Sequence, residues 1–273
     1  MPEFRVFMLS TKSPDTSHRV NEDHYIYEEY RFGEGELIRL IVVCDGMGGM
    51  AEGDRASLFA AEAFSESIHR QLLRAGICNG LDFSEDGFEK TAVWLETEVM
   101  PQAADEANRA VYEKTSPLAE SGTTLTAALV IDRYAVILNI GDSPAYFYQA
   151  ETGELAMVSE LQTLAELEVQ EGRYERYSDA YYNKSHILSY CLGEYDIIER
   201  NRIYVRRLPE LCSGDMLLVG SDGVFGRMCE QEILDVMKKH IDNGREKFAL
   251  QRLFLRARRD KNDDQTAVLL CVR

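Results

Sequence analysis

The apolar run LIRLIVVC at residues 37–44 leads directly into the loop DGMGG at residues 45–49. A short apolar run that stops at a glycine-rich turn predicts a buried β-strand. From residue 53 to residue 74 the apolar residues then recur with helical spacing. They are Ala56, Phe59, Ala60, Ala63, Phe64, Ile68 and Leu72. This region therefore predicts a strand, an acidic turn and a long amphipathic helix in direct succession.

The rest of the chain groups its strands and its helices separately. We expect Pro101 to start or kink part of a second helix, at residues 88–112. Strands in hairpin-like groups beside paired helices favour an α+β protein with separate layers over alternating β-α-β units. We therefore predict a two-sheet core flanked by helix pairs. The further strands are predicted at residues 4–9, 24–28, 123–131, 134–140, 145–149, 197–207, 216–219 and 265–272, and the further helices at residues 230–240 and 245–258.

No repeat, low-complexity stretch or linker rich in proline and glycine interrupts the sequence. We therefore predict one domain over residues 1–273, which is long enough to bury a sizeable core. The part around residues 159–190 is rich in tyrosine, glutamate and other polar residues. We interpret it as an irregular flap.

The chain carries 47 Asp and Glu against 30 Lys and Arg, which gives a net charge of −17. Such a protein lacks the basic surface that general nucleic-acid binding requires, and anionic membranes repel it. The first residues lack the basic start and apolar stretch of a signal peptide. No apolar run reaches the ~18 residues that a membrane span requires. We therefore predict a cytoplasmic protein that binds neither nucleic acid nor membranes.

The six cysteines are scattered and form no C-x-x-C pair. A chain of this length does not depend on disulfides for its stability. We therefore expect reduced and mostly buried thiols. The cysteines are Cys44, Cys78, Cys191, Cys212, Cys229 and Cys271.

Four acidic turns stand at the ends of predicted strands. An Asp-Gly pair by itself is an ordinary turn. Divalent cations such as Mg²⁺ and Mn²⁺, however, prefer carboxylate, carbonyl and water oxygens, and carboxylates from distant loops repel each other strongly when no cation lies between them. The combination of turns therefore indicates a divalent metal site. The turns are NED at 21–23, DGMGG at 45–49, SDG at 221–223 and DDQT at 263–266.

In order and spacing these stretches resemble the metal-dependent serine/threonine protein phosphatases, the PPM or protein phosphatase 2C family, and especially its compact bacterial members. The resemblance spans nearly the whole chain. It implies an α+β fold, a four-layer αββα sandwich of two antiparallel sheets flanked by helix pairs. The matching stretches are NED at 21–23, VVCDGMGGMAEGDRAS at 42–57, SGTTLTAALV at 121–130, GDS at 141–143, LVGSDGV at 218–224 and DDQTAVLL at 263–270.

The resemblance also implies which residues bind the two catalytic metal ions. Asp45 is expected to bridge the two ions, and the Gly46 carbonyl is expected to bind one of them. Asp222 and Asp263 are expected to bind the other. Asp263 is preferred to Asp264 because the family pattern places an asparagine at position 264.

Three more acidic residues have implied roles at the same centre. Glu22 and Asp23 are similar to the acidic pair that holds metal-bound waters in the family. Asp142 is similar to the ligand of a third, weaker metal site that it shares with Asp222. The alternative for Asp142 is an ordinary turn at the end of a strand.

The implied reaction is hydrolysis of phosphoserine and phosphothreonine monoesters in proteins. Two Mn²⁺ or Mg²⁺ ions would lower the pKa of a bridging water, and the resulting hydroxide would attack phosphorus in line, without a covalent enzyme intermediate. A protonated histidine and a metal-bound water are both candidates for the general acid. The implied partner is a phosphorylated protein, either the target of a Ser/Thr kinase or the kinase itself.

Two departures from the family pattern concern substrate binding. The family usually has an arginine five residues before the aspartate of the first motif, but here that position is His18 and the arginine follows it. We predict that Arg19 binds the substrate phosphate; the alternatives are that His18 takes part, or that neither does. The Asp-His pair that often begins the flap is missing from SELQTLAELEVQEG at residues 159–172. We interpret the later His186 as structural.

These departures allow a second hypothesis, a pseudophosphatase that binds a phosphoprotein without turnover. Every metal ligand of the matched pattern is present, and this favours the enzyme.

Overall fold

Apolar runs that alternate with short turns build two antiparallel β-sheets. The computed structural model describes residues 3–15, 20–32, 36–47, 52–77, 85–115, 121–241, 244–260 and 262–273. Its strands in chain order are β1 (Phe4–Thr11), β2 (Asp23–Phe32), β3 (Glu36–Met47), β4 (Gly122–Thr123), β5 (Leu125–Ile131), β6 (Tyr134–Ile140), β7 (Ala145–Gln149), β8 (Glu154–Met157), β9 (Tyr204–Arg207), β10 (Met216–Gly220) and β11 (Gln265–Val272).

The helices separate into groups along the chain, between the strands. In chain order they are α1 (Gly53–Ile77), α2 (Glu85–Trp94), α3 (Met100–Lys114), α4 (Leu164–Gln170), α5 (Asp179–Tyr182), α6 (Asp222–Phe225), α7 (Glu230–Ile241) and α8 (Glu246–Ala257). A π-helical turn at Leu95–Val99 joins α2 to α3, and a 3₁₀ turn at Arg200–Arg202 precedes β9.

The first sheet has the strand order β1-β11-β10-β7-β8, and the second has the order β2-β3-β5-β6-β9, with β4 paired to β3. The neighbouring strands of both sheets pair antiparallel. Strands β5 and β11 are buried along their whole length. Their sequences LTAALVI and QTAVLLCV are nearly continuous apolar runs because both faces of these central strands are covered.

The two sheets pack face to face, and each has helices on its outer face. Between the sheets, Val43 of β3 lies in one buried cluster with Leu217 of β10 and Val268 of β11. On the outer side of the second sheet, α1 and α3 pack through side chains such as Phe64. On the outer side of the first sheet, α7 and α8 pack through side chains such as Leu253. Fully burying a side chain of this size contributes about 1.5–3 kcal/mol. The predicted α+β, four-layer αββα sandwich is confirmed.

Most predicted elements are present, and the differences have physical causes. The helix predicted at 88–112 is split by the π-helical turn, and Pro101 lies in the first turn of α3, where its missing N–H costs nothing. The strand predicted at 197–207 is wrong before β9, because the 3₁₀ turn occupies residues 200–202. The flap was predicted to be irregular, which is wrong in part, because it contains α4 and α5. Strand β8 and the four-residue helix α6 were not predicted.

The five described cysteines are all free thiols. The prediction that the cysteines are mostly buried is wrong, since only two of these five are buried, two are intermediate and Cys212 is exposed. Cys78 lies outside the described residues. Within the described ranges, no helix is both long enough and apolar enough to cross a membrane.

Candidate active site

The predicted acidic turns lie at one end of the sandwich. In the second sheet, Asp23 at the start of β2 is paired in register with Asp45 near the end of β3. The next residue of β3, Gly46, is paired with Thr123 of β4. Since antiparallel pairing fixes which residues lie side by side, residues far apart in sequence become neighbours here.

The first sheet contributes two turns at the same end. Asp222 begins α6 directly after β10, and Asp263 stands two residues before β11. The turns touch, because a Cβ atom built on Gly223 would lie 1.8 Å from the carbonyl oxygen of Asp264. Only glycine permits this approach. A hydrogen bond then joins the two sheets, since the Ser221 hydroxyl donates to Oδ2 of Asp23 at 2.8 Å.

Asp142 lies in the turn between β6 and β7 and is buried. The turn is held by the side chain of Gln162, whose Oε1 accepts the Gly141 N–H at 2.9 Å. The backbone N–H of Gln162 also donates to the Gly141 carbonyl at 3.0 Å. The beginning of the flap is therefore tied to the turn that carries Asp142.

The carboxylates of these turns influence one another strongly. Burial raises the pKa of Asp45 well above its usual value, and the charges of Asp23, Asp222, Asp142 and Asp263 raise it further. We call these five residues the acidic centre.

Asp23 has a raised pKa for the same principal reason. Burial raises its pKa to about 7, the hydroxyls of Ser221 and Thr266 oppose this shift, and the charges of Asp264 and Asp263 add to it. Like charges at a buried site favour the protonated acid unless a cation compensates them. The acidic centre therefore has the electrostatic properties of a cation site.

The donor set of the acidic centre fits a hard divalent cation. Oδ1 of Asp23 is buried and has no hydrogen-bond partner among the described residues, and a buried carboxylate oxygen without a partner is costly. Oxygen ligands are those that Mg²⁺ and Mn²⁺ prefer. In the described part of the chain, however, no three His, Cys, Asp or Glu side chains already form a group that could hold a metal ion.

Glu22 and Gly46 lie at the edge of the acidic centre in a tightly packed backbone. The Glu22 carbonyl accepts the Gly46 N–H at 3.1 Å and the Ser57 hydroxyl at 2.6 Å. A Cβ atom built on Gly46 would lie 2.0 Å from the Gly53 carbonyl oxygen and 2.6 Å from that of Glu22. A side chain at position 46 would therefore displace both the start of α1 and the loop before β2.

Asp264 has a different environment from Asp263. Its Oδ1 accepts the Ser13 N–H at 2.5 Å and its Oδ2 accepts the Glu22 N–H at 2.6 Å. Both oxygens of Asp264 are thus occupied by backbone donors, which an asparagine with a single acceptor oxygen could not satisfy.

The predicted phosphate-binding residue Arg19 and its alternative His18 lie outside the described residues. His186 lies on the surface, and no hydrogen bond joins its ring to another described residue.

Short polar side chains that were not among the predicted site residues support the acidic centre. The Thr124 hydroxyl accepts the Asp45 N–H at 2.9 Å and is hydrogen-bonded to Ser143 at 2.7 Å. The Thr123 hydroxyl donates to the Asp45 carbonyl at 2.9 Å. Ser221 accepts the Thr266 N–H at 3.0 Å while it donates to Asp23. The available signal was serine and threonine within or directly beside apolar strands.

A comparison with family profiles agrees with this geometry. The profile described as Protein phosphatase 2C matches residues 16–256, which is most of the chain. The chain belongs to the protein phosphatase 2C family. By this membership it is a phosphoprotein phosphatase and therefore a hydrolase. It is similar to bacterial members of the family. The family resemblance of the sequence motifs is confirmed.

Individual relatives in the protein phosphatase 2C family support the assignment. The chain is 28% identical to the serine/threonine phosphatase Stp of Listeria welshimeri over 204 residues, 73% of this chain and 71% of that protein. It is 28% identical to the protein phosphatase PhpP of Streptococcus pneumoniae over 229 residues, 81% of this chain and 80% of that protein.

A solved structure agrees on the fold. The catalytic domain of the serine/threonine protein phosphatase PstP, in complex with 2 manganese ions, superposes with a TM-score of 0.72 at 22% identity. The superposition covers 100% of this chain and 99% of the PstP catalytic domain.

Proposed function

We propose that the chain hydrolyses phosphoserine and phosphothreonine monoesters in proteins by direct attack of water that is activated by two divalent cations. Water oxygen would form the new bond to phosphorus, and the bond from phosphorus to the serine or threonine oxygen would break. The products are inorganic phosphate and the free hydroxyl side chain. The observation that carries the proposal is Asp45, a half-buried carboxylate whose pKa is raised by burial and by the charges of four other carboxylates.

The relatives support this choice of substrate and cofactor. Two of them are named serine/threonine phosphatase or protein phosphatase, and a related catalytic domain was solved with manganese. We propose Mn²⁺ or Mg²⁺ as the cofactor, held by Asp45, Gly46, Asp222 and Asp263, with Glu22 and Asp23 behind them and Asp142 at a third, weaker site. Bound divalent cations would supply both the activation of water and the neutralisation of charge on the phosphoryl oxygens.

The chain's own residues would do the positioning. The Ser221 hydroxyl fixes one oxygen of Asp23 and leaves the other oxygen, Oδ1, for a ligand. Thr123 and Thr124 fix the backbone on both sides of the Asp45 side chain. A ligand whose backbone is fixed loses little freedom on binding, and this preorganisation strengthens the electrostatic contribution to catalysis. We propose that Arg19 holds the substrate phosphate.

The experiment is hydrolysis of a phosphothreonine peptide and of p-nitrophenyl phosphate with Mn²⁺, with Mg²⁺ and with a chelator. We expect turnover that requires the metal and that is lost in Asp222→Ala. Asp215→Ala is the matched control, because Asp215 is buried but accepts its two hydrogen bonds, from the Ala150 and Cys212 N–H groups, away from the acidic centre.

The competing hypothesis of a pseudophosphatase predicts a different result in the same experiment. Phosphopeptide binding without turnover at saturating Mn²⁺ would establish it and overturn the proposed activity. Activity that persists in the chelator would overturn the metal-dependent mechanism. The physiological partner that we propose is a phosphorylated protein, either the target of a Ser/Thr kinase or the kinase itself. We propose the cytoplasm as its location.

A further inference from the structure

A basic region stands out on this acidic protein. Residues 236–261 contain nine Lys and Arg against three Asp and Glu, whereas the whole chain contains 30 against 47. Its described part comprises the second half of α7, all of α8 and the turn after α8. The strong positive field is therefore concentrated on the outer helix layer of the first sheet.

Among the described residues, several of these cationic side chains have no carboxylate partner. Arg256 is paired with Glu232 and Asp260. By contrast, Arg252, Arg258 and Arg259 form no ion pair with any carboxylate of the described ranges. Uncompensated arginines attract and orient anionic groups, and their planar guanidinium groups match carboxylates well.

The exposed face of α8 also presents large apolar side chains. Phe248 and Leu255 are each 56% exposed. Together with Arg252 they occupy positions i, i+4 and i+7, which form one stripe along a helix. Arg259 follows in the turn after α8. A mixed stripe of apolar and cationic side chains is typical of a surface that binds an anionic partner with apolar anchors.

An apolar cleft of about 310 Å³ lies beside this stripe, between α8 and the edge strand β1. Arg258 spans the cleft, since its Nη2 donates to the Thr11 hydroxyl at 2.9 Å and to the Lys12 carbonyl at 3.1 Å. These acceptors are neutral, so the guanidinium charge at the cleft is retained. The cleft is lined by Leu9, Thr11, Gln251, Phe254, Leu255 and Arg258.

We propose that the cleft and the exposed stripe of α8 form a docking site for an acidic peptide segment of a partner protein. One apolar side chain of the segment enters the cleft beside Leu255, and its carboxylates pair with Arg252, Arg258 and Arg259. Charge complementarity selects this occupant.

A lipid surface fits the site less well than a peptide does. Part of the site is the cleft of about 310 Å³ beside β1, which a flat bilayer would leave unfilled. The net charge of the whole protein also opposes approach to an anionic membrane.

The test is fluorescence anisotropy with a labelled peptide of acidic residues around one phenylalanine and one leucine. A matched peptide has glycine in place of both apolar residues. We expect the first peptide to bind, the glycine peptide to bind at least about tenfold more weakly, and binding to weaken as NaCl is raised because exposed ion pairs are screened.

The variant protein combines Leu255→Ala with Arg252→Glu, both on the exposed face. We expect its affinity for the peptide to fall at least about tenfold. The control combines Leu73→Ala with Arg74→Glu, an exposed leucine and arginine on α1, and it should bind like the wild type. The single variant Arg252→Glu, which removes no apolar contact, should give a smaller loss in the same direction.

Three outcomes would overturn the proposal: equal binding of both peptides, equal binding by the variant and the wild type, or loss of binding in the control alone. Sedimentation with phosphatidylserine vesicles tests the lipid alternative, and vesicle binding that Arg252→Glu removes would also overturn the proposal. Neither measurement needs metal or turnover. Hydrolysis of p-nitrophenyl phosphate by each variant is followed separately, so failure of the docking site is distinguishable from failure of the phosphatase activity.

Discussion

In the flap, each buried glutamate meets a cation that the protein supplies. Lys184 and Arg173 contact Glu168 at 2.6 and 2.7 Å, and Arg176 contacts Glu166 at 2.7 Å. The hydrogen bond from Lys184 is the main reason that the pKa of Glu168 lies below its usual value. In the flap, therefore, burial of a carboxylate is compensated within the chain.

In the acidic centre the same kind of burial has the opposite result. The pKa of Asp45 is raised by burial and by four neighbouring carboxylates, and the pKa of Asp23 rises to about 7. The chain thus provides compensating cations in one region and concentrates like charges in the other. The free-energy cost of holding like charges together is tolerated where a bound ligand removes it. The difference between the two regions therefore points to a bound cation at the acidic centre.

The substitution Asp45→Asn should give the largest effect and should separate catalysis from stability. A metal ligand supports several kcal/mol of transition-state stabilisation, so we expect kcat/KM with Mn²⁺ to fall about a thousandfold or more. In chelator, however, the substitution removes a buried like charge and should raise the Tm. Phosphopeptide turnover and thermal unfolding in chelator measure the two effects. A lower Tm in chelator would show that Asp45 is compensated within the chain, as the flap glutamates are.

The pH dependence of stability provides the next test. Because the pKa of Asp23 is about 7 in the folded protein and 3.8 is its usual value, the folded state retains a proton that the unfolded state has lost between these values. This contribution is complete below pH about 4 and is lost as pH rises through about 7. We expect the free energy of unfolding of the chelated protein to fall by up to about 4 kcal/mol across this window.

Bound Mn²⁺ should reverse this dependence, since metal binding requires ionised carboxylates. Urea unfolding at a series of pH values, in chelator and in Mn²⁺, measures both slopes. Asp23→Asn should flatten the slope in chelator. A wild-type protein whose stability in chelator does not change between pH 4 and pH 7 would contradict the raised pKa.

Sequence patterns predicted the regular parts of the fold because burial on both faces leaves a clear signal. Strands β6, β7 and β11 have the predicted bounds, and each is a mostly apolar run that adjoins a turn. The start of a new helical part at Pro101 was predicted for the helix at 88–112 and is confirmed, but the π-helical turn before it was not predictable from the apolar spacing. A π-helical turn adds one residue to a helical ring and leaves the apolar spacing on either side nearly unchanged.

The acidic turns were recognised from their residue types. Which groups offset the charge of each carboxylate could not be recognised in this way. The residue types at Glu166 and Asp45 do not indicate that Glu166 forms an ion pair with an arginine whereas Asp45 lies near other carboxylates. That distinction depends on pairings such as Asp23 with Asp45, which antiparallel register creates. The double acceptor role of Asp264 likewise depends on Ser13, which is 251 residues away in sequence.

Asp264 represents a third way of compensating a buried carboxylate, by backbone N–H groups, and Asp264→Asn tests it. One acceptor would be replaced by an NH₂ group that faces either the Ser13 N–H or the Glu22 N–H, so we expect a loss of about 1–3 kcal/mol in stability. Because Glu22 adjoins Asp23, the apparent affinity for Mn²⁺ should also decrease.

Asp215→Asn is the matched control for this position. Asp215 also accepts two backbone hydrogen bonds, both at 2.8 Å, from Ala150 and Cys212. We expect a similar loss of stability with unchanged Mn²⁺ affinity, measured by urea unfolding and by metal titration of the activity. Equal Mn²⁺ affinities for the two variants would limit Asp264 to a structural role.

The smallest effect is expected in the flap, where Arg176→Leu removes the cation from Glu166. The Tyr181 hydroxyl still donates to Glu166 at 2.6 Å, and the Arg176 side chain is 33% exposed, so solvent screens part of the lost interaction. We expect a local loss of about 1 kcal/mol, seen as faster hydrogen exchange in α4 and α5 with an unchanged global Tm. The control Arg133→Leu removes an exposed ion pair with Glu210 and should leave exchange in the flap unchanged. If Arg176→Leu has no more effect than this control, the ion pair with Arg176 does not stabilise the flap. The proposed difference between the flap and the acidic centre would then be wrong.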